Sequence, residues 1–225
     1  MIALLLLTFL HVLYASTGDI TRVLLKLCLP FSVIPLPGAA GSAPQITSIT
    51  RYLCLLHSTA TNAMSDMQNA ARVFFTSQTF AVAGASSDLS KFGHRIFAWY
   101  LAHDLHAVPV NPTCASITVR RKDFDTVASP AQLKDPGNTG LSVITPPSVT
   151  AQLLREAKEV GVKAVWLQPG SFTDRELEYA MKEFPGAAVG GFAEGTVGGE
   201  GWCVLVDGDA AIRAAAQEKG RDEKL

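Results

Sequence analysis

Charged side chains are nearly absent from the start of this chain: positions 1–63 hold Asp19, Arg22, Lys26 and Arg51 and no others. An excess of either sign is missing as well, with 19 Lys and Arg against 20 Asp and Glu, a formal net charge of -1. That balance supplies neither the basic field that draws nucleic acid nor the one that draws an anionic membrane. The cysteines are only Cys28, Cys54, Cys114 and Cys203, with no CxxC and no Cys/His ligand spacing. Their pattern speaks against a disulfide framework and against a zinc site, and fits a reducing compartment. The apolar run Ile2 to Tyr14, interrupted by Thr8 and His11, falls short of the ~20 residues of a membrane-spanning helix. It has the length of a signal-peptide apolar region, but no Lys or Arg precedes it. A second apolar stretch, Val23 to Ala40, carries Pro30, Pro35 and Pro37, which oppose a regular helix.

These shortages divide the chain into residues 1–63, an apolar extension of low charge, and residues 64–225, which have an ordinary charged surface. The extension reads as a targeting segment, with mitochondrial import ahead of secretion because it is acid-poor, as a membrane anchor, or as a non-native start. The last is adopted, because MSDMQNAARVFF from Met64 has the form of an ordinary amphipathic N-terminus. A cytoplasmic location follows if folding begins there; a mitochondrial, membrane-associated or secretory one follows if the extension is retained.

From Met64 onward the periodicity alternates between strand and helix. Thr79 to Ala83 reads as a strand, Phe92 to Leu105 as a helix with Phe92, Ile96, Tyr100 or Trp99, and His103 at helical spacing, and Ala107 to Val110 as a second strand. Thr118-Val119 marks a small strand and Pro130 to Leu133 a short helix. Leu141 to Thr145 is the next strand. Ser148 to Val160 is a helix with Val149, Leu153, Ala157 and Val160 on one face. Ala164 to Leu167 follows as a strand, and Thr173 to Glu176 is a capping box opening a helix to Phe184. Ala187 to Val189 is a fifth strand, Trp202 to Val206 an additional edge strand, and Ala210 to Lys219 a terminal helix. Such alternation predicts an α/β fold: a doubly wound, mainly parallel sheet of about five strands with helices on both faces.

Ligands in such sheets bind beyond the C-terminal ends of the strands. Four segments collect there: the loop from Gly84 to Gly93, Asn111-Pro112, Thr145-Pro146-Pro147, and Gln168-Pro169-Gly170. The first, FAVAGASSDLSKFG with its flanking strand, is the strongest chemical signal. A buried strand that breaks at Gly84 into a Gly/Ser loop and restarts as a helix leaves backbone N–H groups free for an anion, phosphate above all. A dinucleotide site requires a close G-x-G after the first strand and an acidic residue at the end of the second. Here the glycines are far apart and the second strand ends at Asn111. A loop bearing Ser86, Ser87, Ser90 and Lys91 suits a bulkier phosphorylated ligand.

Taken in order, FAVAGASSDLSKFG, PVNP at 109–112, SVITPPSVT at 142–150 and KAVWLQPGSF at 163–172 resemble the small CoA-binding domain proteins. These in turn resemble the N-terminal CoA-binding domain of the succinyl-CoA ligase alpha subunit. The resemblance spans roughly Phe74 to Val206, and GGEGWCVLVDG is most similar to the fungal members. It implies a Rossmann-like fold and coenzyme A or an acyl-CoA as ligand; the alternative that the alternating pattern leaves open is an NAD(P)-using Rossmann-fold oxidoreductase, disfavoured by the missing G-x-G and by Asn111. The resemblance also implicates Gly84, Ser86, Ser87, Pro146, Pro147, Gln168, Pro169 and Gly170, and Ala85, Lys91, Gly93, Asn111, Pro112 and Thr145 on the same loops complete the candidate site. Bacterial relatives often carry a basic residue just after Asn-Pro, where this chain has Thr113-Cys114. Lys91 or Arg95 is the candidate replacement for that charge.

No catalytic set is legible. The ligase uses a phosphorylated histidine on a second domain that this sequence does not include, and His94, His103 and His106 lie on or beside the first helix without a Ser-His-Asp order. Glu194 and Glu200 read as solvated loop acids and Cys203 as a buried, inert thiol; Cys114, beside Asn-Pro, is the better placed of the thiols to react. The expectation is a binding module, regulatory or carrier in role, with a small-molecule CoA partner, no nucleic acid, no membrane for the folded domain, and a homodimer or protein partner left open.

Overall fold

A computed structural model describes residues 66–191 and 201–222. The apolar extension, Glu194 and Glu200, and Cys28 and Cys54 lie outside the described residues. In chain order the elements are helix α1 (66–74), β1 (Thr79–Ala83), α2 (Phe92–Ala102), β2 (Ala107–Val110), β3 (Ser116–Val119), β4 (Lys122–Asp125), β5 (Thr139–Val143), α3 (Pro147–Glu159), β6 (Ala164–Leu167), α4 (Asp174–Glu183), β7 (Ala188–Val189) and α5 (Val204–Asp222).

Five strands form one parallel sheet in the order β2-β1-β5-β6-β7. Its strands are apolar on both sides because both faces are covered. Phe80, Val82, Trp166 and Val189 point to one face and pack with Phe74 of α1, Ile96, Phe97 and Tyr100 of α2, and Val204 of α5. Ala81, Ala83, Leu141, Val143, Val165 and Leu167 point to the other, against Leu153, Leu154 and Ala157 of α3 and Ala180 of α4. Each fully buried Leu or Phe contributes roughly 2 kcal/mol from its removal from water. The expected doubly wound, Rossmann-like α/β architecture is therefore present. The crossover from β1 to β2 runs over one face and those from β5 onward over the other, so the switch point lies between β1 and β5.

Four details differ from the sequence reading. Thr118-Val119 belongs to a complete hairpin, with β3 antiparallel to β4 and Val119 opposite Lys122. The residues between them, Arg120 (φ +53°) and Arg121 (φ +62°), are both left-handed. This is a type I′ turn, a geometry that favours Asn-Gly and costs an ordinary residue about 1–2 kcal/mol per position. The buried face of α2 is Gly93, Ile96, Phe97 and Tyr100, whereas Phe92 is exposed. Val149, expected inside, is 45 % exposed, and Thr150 and Leu154 are buried in the first turns of α3 instead.

The fourth difference is the largest. Trp202 to Val206 is not an edge strand; the chain enters α5 at Val204. The first amides of that helix have dedicated acceptors: Val204 N donates to Gln168 Oε1 at 3.0 Å and Cys203 N to Asp207 Oδ2 at 2.9 Å. An apolar WCVLV run reads as a strand when one of its capping partners, Gln168, lies 36 residues upstream in the sequence. Cys203 is accordingly half-buried at a helix start, and burial pushes its thiol pKa up.

Candidate functional site

The C-terminal edge of the sheet is organised around the end of β1. Gly84 turns the chain with φ +91°, and a side chain there would meet the Ile144 carbonyl oxygen. The loop that follows closes on itself. Asp88 N donates to Ser86 Oγ (3.1 Å), and Asp88 Oδ1 accepts from Ser90 N (2.9 Å) and Ser90 Oγ (2.7 Å). Those two bonds from Ser90 hold the Asp88 carboxyl below its ordinary value. Two side chains brace the loop from outside. Asn111, at the end of β2, donates from Nδ2 to Ala85 O at 3.0 Å, while its Oδ1 accepts from Thr113 N and Thr113 Oγ1 at 2.9 and 2.7 Å. His94, buried in the first turn of α2, places Nδ1 3.0 Å from Ser86 O; a carbonyl only accepts, so Nδ1 carries the proton.

What the loop leaves unsatisfied matters more. Helix α2 begins after Lys91 with no side-chain cap. Among the described residues, the amides of Ala85, Ser86 and Ser87 in the loop, and of Phe92 and Gly93 at the helix start, have no acceptor. Unpaired donors at the positive end of a helix are the physical basis of an anion site.

Beside this loop, on the α3 side, lies a cleft of about 470 Å³. Its floor is Ala83 and Gly84; one wall is Val110, Asn111 and Pro112 at the end of β2 with Ala128 and Ser129. The opposite wall is Thr145 and Pro146 at the end of β5 with Val149, Gln152, Leu153 and Glu156 of α3. The lining is apolar apart from a few polar groups, as in small-molecule pockets generally. Gln152 Nε2 donates to Glu156 Oε1 at 2.9 Å, and among the described residues no Lys or Arg lines the cleft.

Of the residues singled out in the sequence, Gly84, Asn111, Pro112, Thr145 and Pro146 meet in the cleft. Ala85, Ser86, Ser87, Lys91 and Gly93 form the adjoining loop and helix start; Ala85 is fully buried and Lys91 exposed. Ser87 Oγ accepts from Thr118 N of β3 at 2.9 Å, which ties the loop to the hairpin. Pro147 is the first residue of α3. Gln168 lies elsewhere: it is fully buried, with Nε2 donating to Ser142 Oγ at 3.1 Å and Oε1 capping α5. Pro169 and Gly170 follow it in a turn closed by Ser171, whose N and Oγ both donate to Gln168 O. Sequence reasoning passed over Ala128, Ser129, Val149, Gln152, Leu153 and Glu156. The last four fall on one face of a helix at 3- and 4-residue spacing, so the face was legible. That its N-terminal end overhangs the sheet edge was not.

Cys114 is exposed in a shallow depression next to the cleft with Asn111 and Pro112. Among the described residues, no cluster of His, Cys, Asp or Glu could hold a metal ion, and no helix is long and apolar enough to cross a membrane.

With this geometry established, comparison places the chain among known proteins. The model of a family described as the CoA binding domain matches residues 78–192, just over half of the chain. A conserved hypothetical protein from Pyrococcus furiosus is 28% identical with a TM-score of 0.41, over 47% of this chain and 87% of its own. A Thermus thermophilus protein is 30% identical with a TM-score of 0.45, over 52% and 84%. A hypothetical protein from Pyrococcus horikoshii is 19% identical with a TM-score of 0.46, over 53% and 80%. No curated protein matches the chain.

Proposed function

The chain belongs to the CoA binding domain family, and from that premise we propose that it is a binding module for CoA or an acyl-CoA, which it takes up at the C-terminal edge of its sheet. The observation that carries this reading is one of extent. The family match over 78–192 contains every strand of the sheet, and with them both the loop of unpaired amides and the cleft beside it. In this arrangement the diphosphate rests on the amides of Ser86 and Ser87 and of Phe92. The adenosine enters the cleft, where Val110, Pro112, Pro146, Val149 and Leu153 offer the apolar walls a flat heterocycle requires. The pantetheine arm then leaves along the sheet edge.

NAD(P) is the weaker alternative. A dinucleotide is read by a carboxylate at the end of the second strand. That position is Asn111, and both atoms of its amide group are committed to Ala85 and Thr113. The role we assign is binding rather than catalysis, as a carrier, sensor or regulatory partner. His94, the histidine nearest the loop, spends its Nδ1 proton on Ser86 O and acts as a brace.

Calorimetric titration with CoA, acetyl-CoA, NAD and NADP side by side tests the proposal. Saturable CoA or acetyl-CoA binding with little response to the dinucleotides is expected. Tight NADP binding with no response to CoA would reverse it.

A further inference from the structure

CoA carries several negative charges, yet the cleft offers it no cation: the ionisable group in its lining is Glu156. The loop supplies uncharged amides, a carboxylate of its own, Asp88, and a single exposed cation, Lys91. One Lys is little against several phosphate charges, and further cations lie on a neighbouring element. The hairpin β3–β4 touches the loop directly through the 2.9 Å bond from Thr118 N to Ser87 Oγ. Arg120 is two residues farther along, within ~7 Å of Thr118 along the strand, and Arg121 and Lys122 follow it. All three are exposed, and among the described residues none is in an ion pair. The hairpin also bears Asp123, whose Oδ1 accepts from Thr118 Oγ1 at 2.6 Å, and Asp125, so its three cations outnumber its two carboxylates and gather at the tip.

The backbone makes this tip unusual. Arg120 and Arg121 both stand at positive φ in a turn that Asn-Gly would form without strain. Strain retained at consecutive side-chain-bearing positions points to a use for those side chains. We infer that the Arg120–Arg121 tip is a cationic clamp for the phosphate groups of the ligand that the first loop receives. The inference rests on the CoA reading above and assigns phosphate-recognising charge, beyond that of Lys91, to residues outside the predicted site.

The test is the double substitution Arg120→Asn with Arg121→Gly, measured by chemical denaturation and by calorimetry with CoA at low and high salt. The expected result is a more stable protein that binds CoA about tenfold or more weakly, with a shallower salt dependence. Arg120→Lys with Arg121→Lys should retain the salt dependence and most of the affinity. CoA binding that survives the Asn-Gly substitution with its salt dependence intact overturns the clamp alone. A Lys-Lys variant as weak as the Asn-Gly one overturns its charge basis. Wild-type protein that takes up no CoA overturns the CoA reading and the clamp with it.

Discussion

Gly93 stands so close to Gly84 that a Cβ at position 93 would lie 1.9 Å from the Gly84 carbonyl oxygen. The start of α2 is thereby seated on the end of β1, which brings its uncapped amides beside those of the loop. The obstructing atom is backbone, so no side chain can swing aside. Gly93→Ala is expected to destabilise the domain by about 3 kcal/mol through overpacking and to displace the helix start. Urea denaturation should show the loss, and CoA affinity measured on the folded fraction should fall with it.

Asn111 joins the ends of β1 and β2 through its Nδ2 donor to Ala85 O, and Asp differs from it in having no donor. Asn111→Asp sets a carboxylate oxygen against Ala85 O and should cost about 1–3 kcal/mol. It also creates the acidic residue that a dinucleotide site uses. If the ligand is CoA, its affinity falls and NAD gains nothing, a contrast that parallel calorimetry reads directly.

Val149 lines the cleft while remaining 45 % exposed, so a larger side chain there meets solvent and ligand space rather than core. Val149→Trp should change stability by less than about 0.5 kcal/mol and weaken CoA binding by about tenfold or more, since it fills the wall proposed to receive the adenosine. Equal affinity in wild type and variant would remove the cleft from the site.

Glu176 provides a pH signature remote from the ligand. Burial raises its carboxyl pKa, but bonds from the Thr173 hydroxyl and the Thr173 amide (2.9 Å) outweigh that effect, and the net shift is downward from 4.5. A carboxylate with a lowered folded pKa stabilises the fold above its unfolded value, and that contribution is lost as pH falls through the folded one. Glu176→Gln keeps an acceptor for the capping box but removes the titration. Denaturation between about pH 3 and 7 should show the wild type losing about 1 kcal/mol more than the variant at the acid end.

The sheet was legible because each of its strands is a short apolar run bounded by Gly, Pro or Asn, a signal carried within a few residues. The glycine loop was legible for the same reason. Failures occurred where the deciding partner is distant. The WCVLV segment reads as a strand until Gln168 caps Val204, and β4 reads as nothing because KDFD has no apolar alternation and is held by Ile117 and Val119 opposite. Arg120-Arg121 carries no turn signal, since the residues that normally announce a type I′ turn are absent. The cleft was half legible: strand-end motifs mark one side, while Gln152 and Glu156 belong to it through the position of α3, which no spacing within that helix encodes.

Trp99, Trp166 and Trp202 are the protein's three tryptophans, and all lie at one seam. Trp166 donates from Nε1 to Trp202 O, the two rings are 6.5 Å apart, and Trp99 covers Gly208 of α5. None of the three lines the cleft. The protein thus carries an intrinsic optical probe of how the terminal helix seats on the sheet, and that probe is blind at the cleft. A fluorescence titration that stays flat would say nothing about ligand occupancy, whereas a red shift on mild denaturation would time the departure of α5.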